Sequence, residues 1–81
     1  MPVTVRLFAR LRDVVGSPDL SRDVAAGASI RAVWEDLVAE HPDLAAYTRV
    51  ISCARNAEYA KLDDPVADGD EIAFLPPVSG G

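Results

Sequence analysis

Eighty-one residues make one small domain with a single core, and a 49% hydrophobic content is ample for a folded chain. The net charge of −5 disfavours nucleic acid and anionic membrane surfaces and favours a partner with a basic face. One cysteine and one histidine exclude an internal disulfide and a structural zinc site, and no apolar run approaches the roughly 20 residues that cross a bilayer.

Met1-Pro2-Val3-Thr4 has no basic segment leading into an apolar stretch, so a cytoplasmic location is expected. Val3 to Phe8 alternates, with Val3, Val5 and Leu7 on one face and Thr4, Arg6 and Phe8 on the other, which predicts a half-buried strand with Phe8 outward. Ala9 to Val15 predicts a short helical turn ended by Gly16, and Leu20 to Val24 a second strand hairpinned to the first. Ser29 is placed to cap a helix whose apolar stripe is Ile30, Val33, Trp34, Leu37 and Val38. Pro42 stops it near His41, and Trp34 is expected to anchor the core rather than to serve a ligand.

A connection through Leu44 to Tyr47 leads to a strand over Val50 to Ala54, a turn at Asn56 and a short edge strand, Glu58-Tyr59-Ala60. The acidic clusters Asp63-Asp64-Pro65 and Asp68-Gly69-Asp70 are read as turns, since the ligand spacing of a calcium loop is missing. Glu71 to Leu75 is the last strand, with Ile72 and Phe74 inward and Leu75 outward. Pro76 and Pro77 must end its ladder and stiffen the segment beyond it, while Gly80 and Gly81, lacking Cβ atoms, can thread a slot too narrow for a side chain. Residues 1–75 are thus expected to form the domain and 76–81 an extended tail. Strand, strand, helix, strand, short strand, strand suits an α+β fold, a mixed sheet with one main helix on one face. First and last strands pair in parallel, because the helix supplies the crossover. Element order alone leaves other α+β folds open; the Gly-Gly tail projecting after the last strand tips the choice to the ubiquitin-like β-grasp.

The run from Asp68 to Gly81, with its Phe74-Leu75-Pro76-Pro77-Val78-Ser79-Gly80-Gly81 ending, resembles the small, sulfur-carrying subunit of molybdopterin synthase. Leu7-Phe8-Ala9, Arg12-Asp13-Val14-Val15-Gly16 and Ala54-Arg55-Asn56 extend the resemblance along the chain. It departs at Arg55, where a small apolar residue is expected, and at Leu75, where a second Phe is common. The resemblance implies a carrier with no active site of its own. An E1-like enzyme would use ATP to adenylate Gly81, and sulfur from a donor protein would replace the adenylate to give a thiocarboxylate. The stem and tip, Pro76, Pro77, Val78, Ser79 and Gly80, would thread into the large subunit of a heterotetrameric synthase. There the sulfur would pass to cyclic pyranopterin monophosphate in molybdenum cofactor biosynthesis. Phe8, Tyr59 and Leu75 would make the partner contacts, with no metal or bound cofactor. Cys53 is the rival sulfur site, but a lone mid-strand Cys is read as a small buried hydrophobe. Alternative readings are a thiamin-type or other sulfur carrier, a ubiquitin-like protein modifier, or an interaction module with an inert tail.

Overall fold

A computed structural model of the chain describes residues 1–77; the expectations for Val78, Ser79, Gly80 and Gly81 lie outside the described residues. The order is β1 (Pro2–Leu7), α1 (Ala9–Val15), β2 (Asp19–Asp23), α2 (Ile30–Glu40), a 3₁₀ turn (Pro42–Tyr47), β3 (Ser52–Arg55), β4 (Glu58–Ala60) and β5 (Glu71–Leu75). The strands form one sheet in the order β2-β1-β5-β3-β4. β5 is central, parallel to β1 with Leu7 opposite Phe74, and antiparallel to β3 with Cys53 opposite Phe74. The mixed sheet with a helix across one face is the expected β-grasp.

Alternation does what it predicts in β1, where Val3, Val5 and Leu7 are buried and their neighbours exposed. Phe8 leaves the sheet ladder to become the N-cap of α1, but its backbone stays extended, so the outward parity is kept. Gly16 closes α1 at φ +86, the left-handed cap conformation that glycine adopts without steric cost, and its N–H reaches Arg12 O at 2.8 Å. Ser29 caps α2 by accepting from the Ala32 N–H at 3.2 Å.

Ile30, Val33, Trp34 and Leu37 of α2 are fully buried against Val5, Leu7, Ile72 and Phe74 of the sheet. Trp34 stacks at a tilt on Phe74, ring centroids 5.0 Å apart, and its indole N–H donates to Thr48 Oγ1 at 3.0 Å. The polar edge of the largest core residue is therefore satisfied, which a buried Trp requires.

The start of β3 differs from the sequence reading. β3 begins at Ser52 rather than at Val50, because the Val50 and Ile51 N–H groups both turn back to Tyr47 O and are not free to pair with β5. Val50 is half exposed as a result. The two-residue turn from β3 to β4 places Asn56 at φ +51 and Ala57 at φ +71, the positive pair that matches the twist of a tight hairpin.

Candidate functional site

The helix covers one face of the sheet and leaves the other to solvent. Register fixes what stands on that open face: Arg6, Ala73, Ala54 and Tyr59 form one row across β1, β5, β3 and β4. The neighbouring row holds Leu75 and Ser52, with Phe8 just beyond the end of the β1 ladder. Ala73 and Ala54 contribute only methyl groups, so the middle of the face is low and the larger side chains stand around it. The result is a groove of about 310 Å³ lined by Phe8, Ala54, Ala57, Tyr59, Glu71, Ala73 and Leu75. Apart from Glu71 its lining is apolar or aromatic, and Phe8 shows 40% and Tyr59 83% of its surface.

The three residues proposed from sequence as a contact patch thus line one groove. Tyr59 does not lie on a strand beside Phe8 and Leu75, however. β4 is separated from β5 by β3, and the groove is continuous because Ala54 and Ala73 keep the floor between them low. The polar end of the groove is organised as well. The Arg6 guanidinium lies 5.8 Å from the Phe8 ring centre and 3.7 Å from Glu71, which orients the Phe8 ring and screens the carboxylate. β5 leads out of this groove: its ladder ends at Leu75, Pro76 is half-buried and Pro77 exposed.

A second cluster was invisible to pattern reading. Asp70, taken from sequence as a turn residue, is buried and accepts three hydrogen bonds: from Asn56 Nδ2 at 2.9 Å, from the Ala67 N–H at 2.7 Å and from Arg55 Nε at 2.6 Å. Asn56, accepting on Oδ1 from the Glu71 N–H at 2.9 Å and donating its backbone N–H to Glu71 O at 2.8 Å, ties the hairpin turn to the first residue of β5. The Asn56 amide, the Ala67 N–H and Arg55 together hold the Asp70 carboxyl below the usual carboxylate range, against the opposing effect of burial. This network fixes the end of β5 remote from the tail. The only signals in sequence were Arg55 at a half-buried strand position and an Asn at the turn.

Cys53 is 3% exposed beneath β4, and its thiol donates to Ala60 O at 3.3 Å. Burial, reinforced by Asp64, pushes its pKa up, so the thiolate that sulfur chemistry needs is disfavoured there. Among the described residues no group of His, Cys, Asp and Glu is arranged to hold a metal ion, and no helix is long and apolar enough to cross a membrane.

The model of the ThiS family matches residues 5–81. The chain is 35% identical over 79 residues to the molybdopterin synthase sulfur carrier subunit of Arabidopsis thaliana, covering 98% of this chain and 82% of that one. It is 40% identical over 86 residues to small archaeal modifier protein 1 of Haloferax volcanii, covering 94% and 97%. The crystal structure of that modifier superposes with a TM-score of 0.84 at 37% identity over 100% of both chains. A chain of the complex of subunits 1 and 2 of the molybdopterin-converting factor from Helicobacter pylori superposes with a TM-score of 0.69 at 27% identity, again over 100% of both. A small chain of this fold is thus found bound to a second subunit in that protein. With a family model matched from the middle of β1 to Gly81 and relatives above 30% identity along nearly its whole length, this chain belongs to the ThiS family.

Proposed function

We propose that this protein is the sulfur-carrier subunit of a molybdopterin synthase. The observation that carries the reading is the similarity along nearly the entire chain to relatives of that name, within a family match that runs through Gly81. A carboxylate is a poor electrophile. Attack of the Gly81 carboxylate on ATP, in an E1-like partner, gives an acyl adenylate and releases pyrophosphate. Hydrosulfide delivered by a donor protein then displaces AMP, leaving a thiocarboxylate. That group, ionised near neutral pH, attacks cyclic pyranopterin monophosphate in the large subunit, and water later frees the carrier as a carboxylate. In this reading the general acid and base groups belong to the large subunit. Pro76 to Gly80 form the stem that enters the partner's channel. The groove of Phe8, Tyr59 and Leu75 at its base receives the partner's apolar surface.

The 40% identity to small archaeal modifier protein 1 favours a second reading, attachment of Gly81 to lysines of other proteins. Intact mass of the chain after incubation with ATP, the adenylating enzyme and a sulfur donor separates the two. An oxygen-to-sulfur exchange is expected in the wild type and in Cys53→Ala, and none when Gly81 is deleted. A truncated chain that still gains sulfur would move the carrier site to Cys53, and recovery of the chain on lysines with no exchange would establish the modifier reading.

A further inference from the structure

Seven of the eight basic side chains are arginines, and the eighth, Lys61, is the only lysine in the sequence. The distinction is chemical. A guanidinium is not an acyl acceptor, whereas a lysine amine forms a stable amide with an activated carboxyl group that it meets. A chain activated at Gly81 therefore carries one side-chain amine able to consume its own acyl group.

Register places that amine at the tail's end of the sheet. β4 runs antiparallel to β3, and β3 antiparallel to β5, so β4 and β5 point the same way. Ala60, the last residue of β4, and Phe74 both pair with Cys53, while Leu75 pairs with Ser52, one step further along. Lys61 follows Ala60 in that direction, so it stands across β3 from Leu75, two strand spacings or about 10 Å away. Its backbone is pinned there. The Lys61 N–H donates to Asp64 Oδ2 at 3.0 Å, Lys61 O accepts from the Asp64 N–H at 2.9 Å, and Leu62 O accepts from the Arg31 N–H of α2 at 2.7 Å. Lys61 is exposed, and among the described residues its side chain pairs with no carboxylate.

Six residues follow Leu75, and an extended chain spans at most about 3.6 Å per residue, so the tip reaches about 20 Å from the end of β5. Lys61 lies within that reach. The Met1 amine does not: β1 is parallel to β5 with Leu7 opposite Phe74, which puts Met1 about 23 Å from Leu75 toward the other end of the sheet. It is also engaged there, with Asp23 Oδ1 at 2.7 Å and Val24 O at 2.8 Å.

We propose that Lys61 is the internal acceptor of the Gly81 acyl group, closing the tail into a ring through an isopeptide bond when sulfur does not arrive. The proposal rests on the carrier reading for the source of the activated carboxyl group, the acyl adenylate made from ATP by an adenylating partner. The Lys61 Nζ lone pair attacks the Gly81 carbonyl carbon and the C–N bond forms. The C–O bond to phosphate breaks, its electron pair leaves on AMP, and the proton lost from nitrogen passes to water. Ring closure outruns the joining of two chains, because a short tether holds the amine at an effective concentration of about millimolar, against chains at about micromolar. A thiocarboxylate, being an anion, no longer accepts the amine, so sulfur and Lys61 compete for the adenylate alone. The closed chain withdraws its tip from any partner's channel.

The full chain prepared with a thioester at Gly81 tests the proposal by intact mass and peptide mapping in mildly alkaline buffer. The expected product is a monomer lighter than the free acid by one water, with Gly81 joined to Lys61, forming at the same rate at about 10 and 100 µM chain. Lys61→Arg keeps the charge at an exposed position, and should yield at least about tenfold less of that product, leaving the free acid instead. Free acid alone from the wild type, an amide at Met1, linked dimers whose yield grows with concentration, or ring closure undiminished in Lys61→Arg would each overturn the assignment. The thioester is made without an adenylating enzyme, so these outcomes leave the carrier reading standing. An enzyme that fails to activate Gly81 would sink that reading and leave the capture by Lys61 intact.

Discussion

Asp70 shows how much a single side chain decides here. It closes the loop between β4 and β5 by accepting from three donors contributed by Asn56, Ala67 and Arg55, which together favour its charged form. Its carboxyl is held below the usual range in the folded chain, so the unfolded chain binds the proton more tightly. The contribution is thus fully present above the ordinary carboxylate pKa, about 3.9, and is lost as the pH falls through that value toward the depressed folded one. Asp70→Asn should lower the melting temperature at neutral pH, and the gap to wild type should close as melts are taken toward pH 3. A gap of constant size across that range would mean that Asp70 acts by shape and not by charge. Arg55 belongs to the same account. It acquires its role from Asp70, a partner 15 positions away in sequence, and nothing local to Arg55 announces the pair.

At the scale of elements, α2 and β1 illustrate opposite uses of the same apolar residue types. Trp34 lies on the helix face turned to the sheet and is sealed from water, with Phe74 against its ring and Thr48 on its indole N–H. Phe8 ends β1 on the other face and is 40% exposed. Trp34→Ala should therefore cost about 3–5 kcal/mol, the range for deleting a large buried aromatic, whereas Phe8→Ala should cost less than about 1 kcal/mol. Urea unfolding of the two variants measures both, and equal losses would show that the open face contributes to the core. Periodicity made both assignments legible, since the α2 stripe and the β1 alternation are properties of a few consecutive residues. The start of β3 was not legible in the same way. Val50 and Ile51 have strand-like side chains, but their N–H groups are taken by Tyr47 O at the end of the 3₁₀ turn, and that competition is settled by the backbone path.

On the scale of the whole molecule, a helix-covered face holds the core and the other face of the sheet is left to solvent. If the groove is the docking surface of the proposed synthase, Phe8→Ala and Leu75→Ala should each weaken binding to the large subunit roughly ten- to hundredfold, the usual range for apolar anchors. Titration calorimetry with folded variants is the measurement, and unchanged affinity in both would remove this face from the interface. The sequence by itself determined the order of elements, the inward and outward parity of β1 and β5, the stripe of α2 and the Pro-Pro stop after Leu75, because each depends on neighbours within about two turns or a single strand. Only the tertiary structure decided that Tyr59 shares a groove with Phe8 across two alanines and that Asp70 is buried among Arg55 and Asn56. Those facts depend on which strands become neighbours and in what register. Chain periodicity assigns side chains to a face, but pairing across distant segments decides which of them meet.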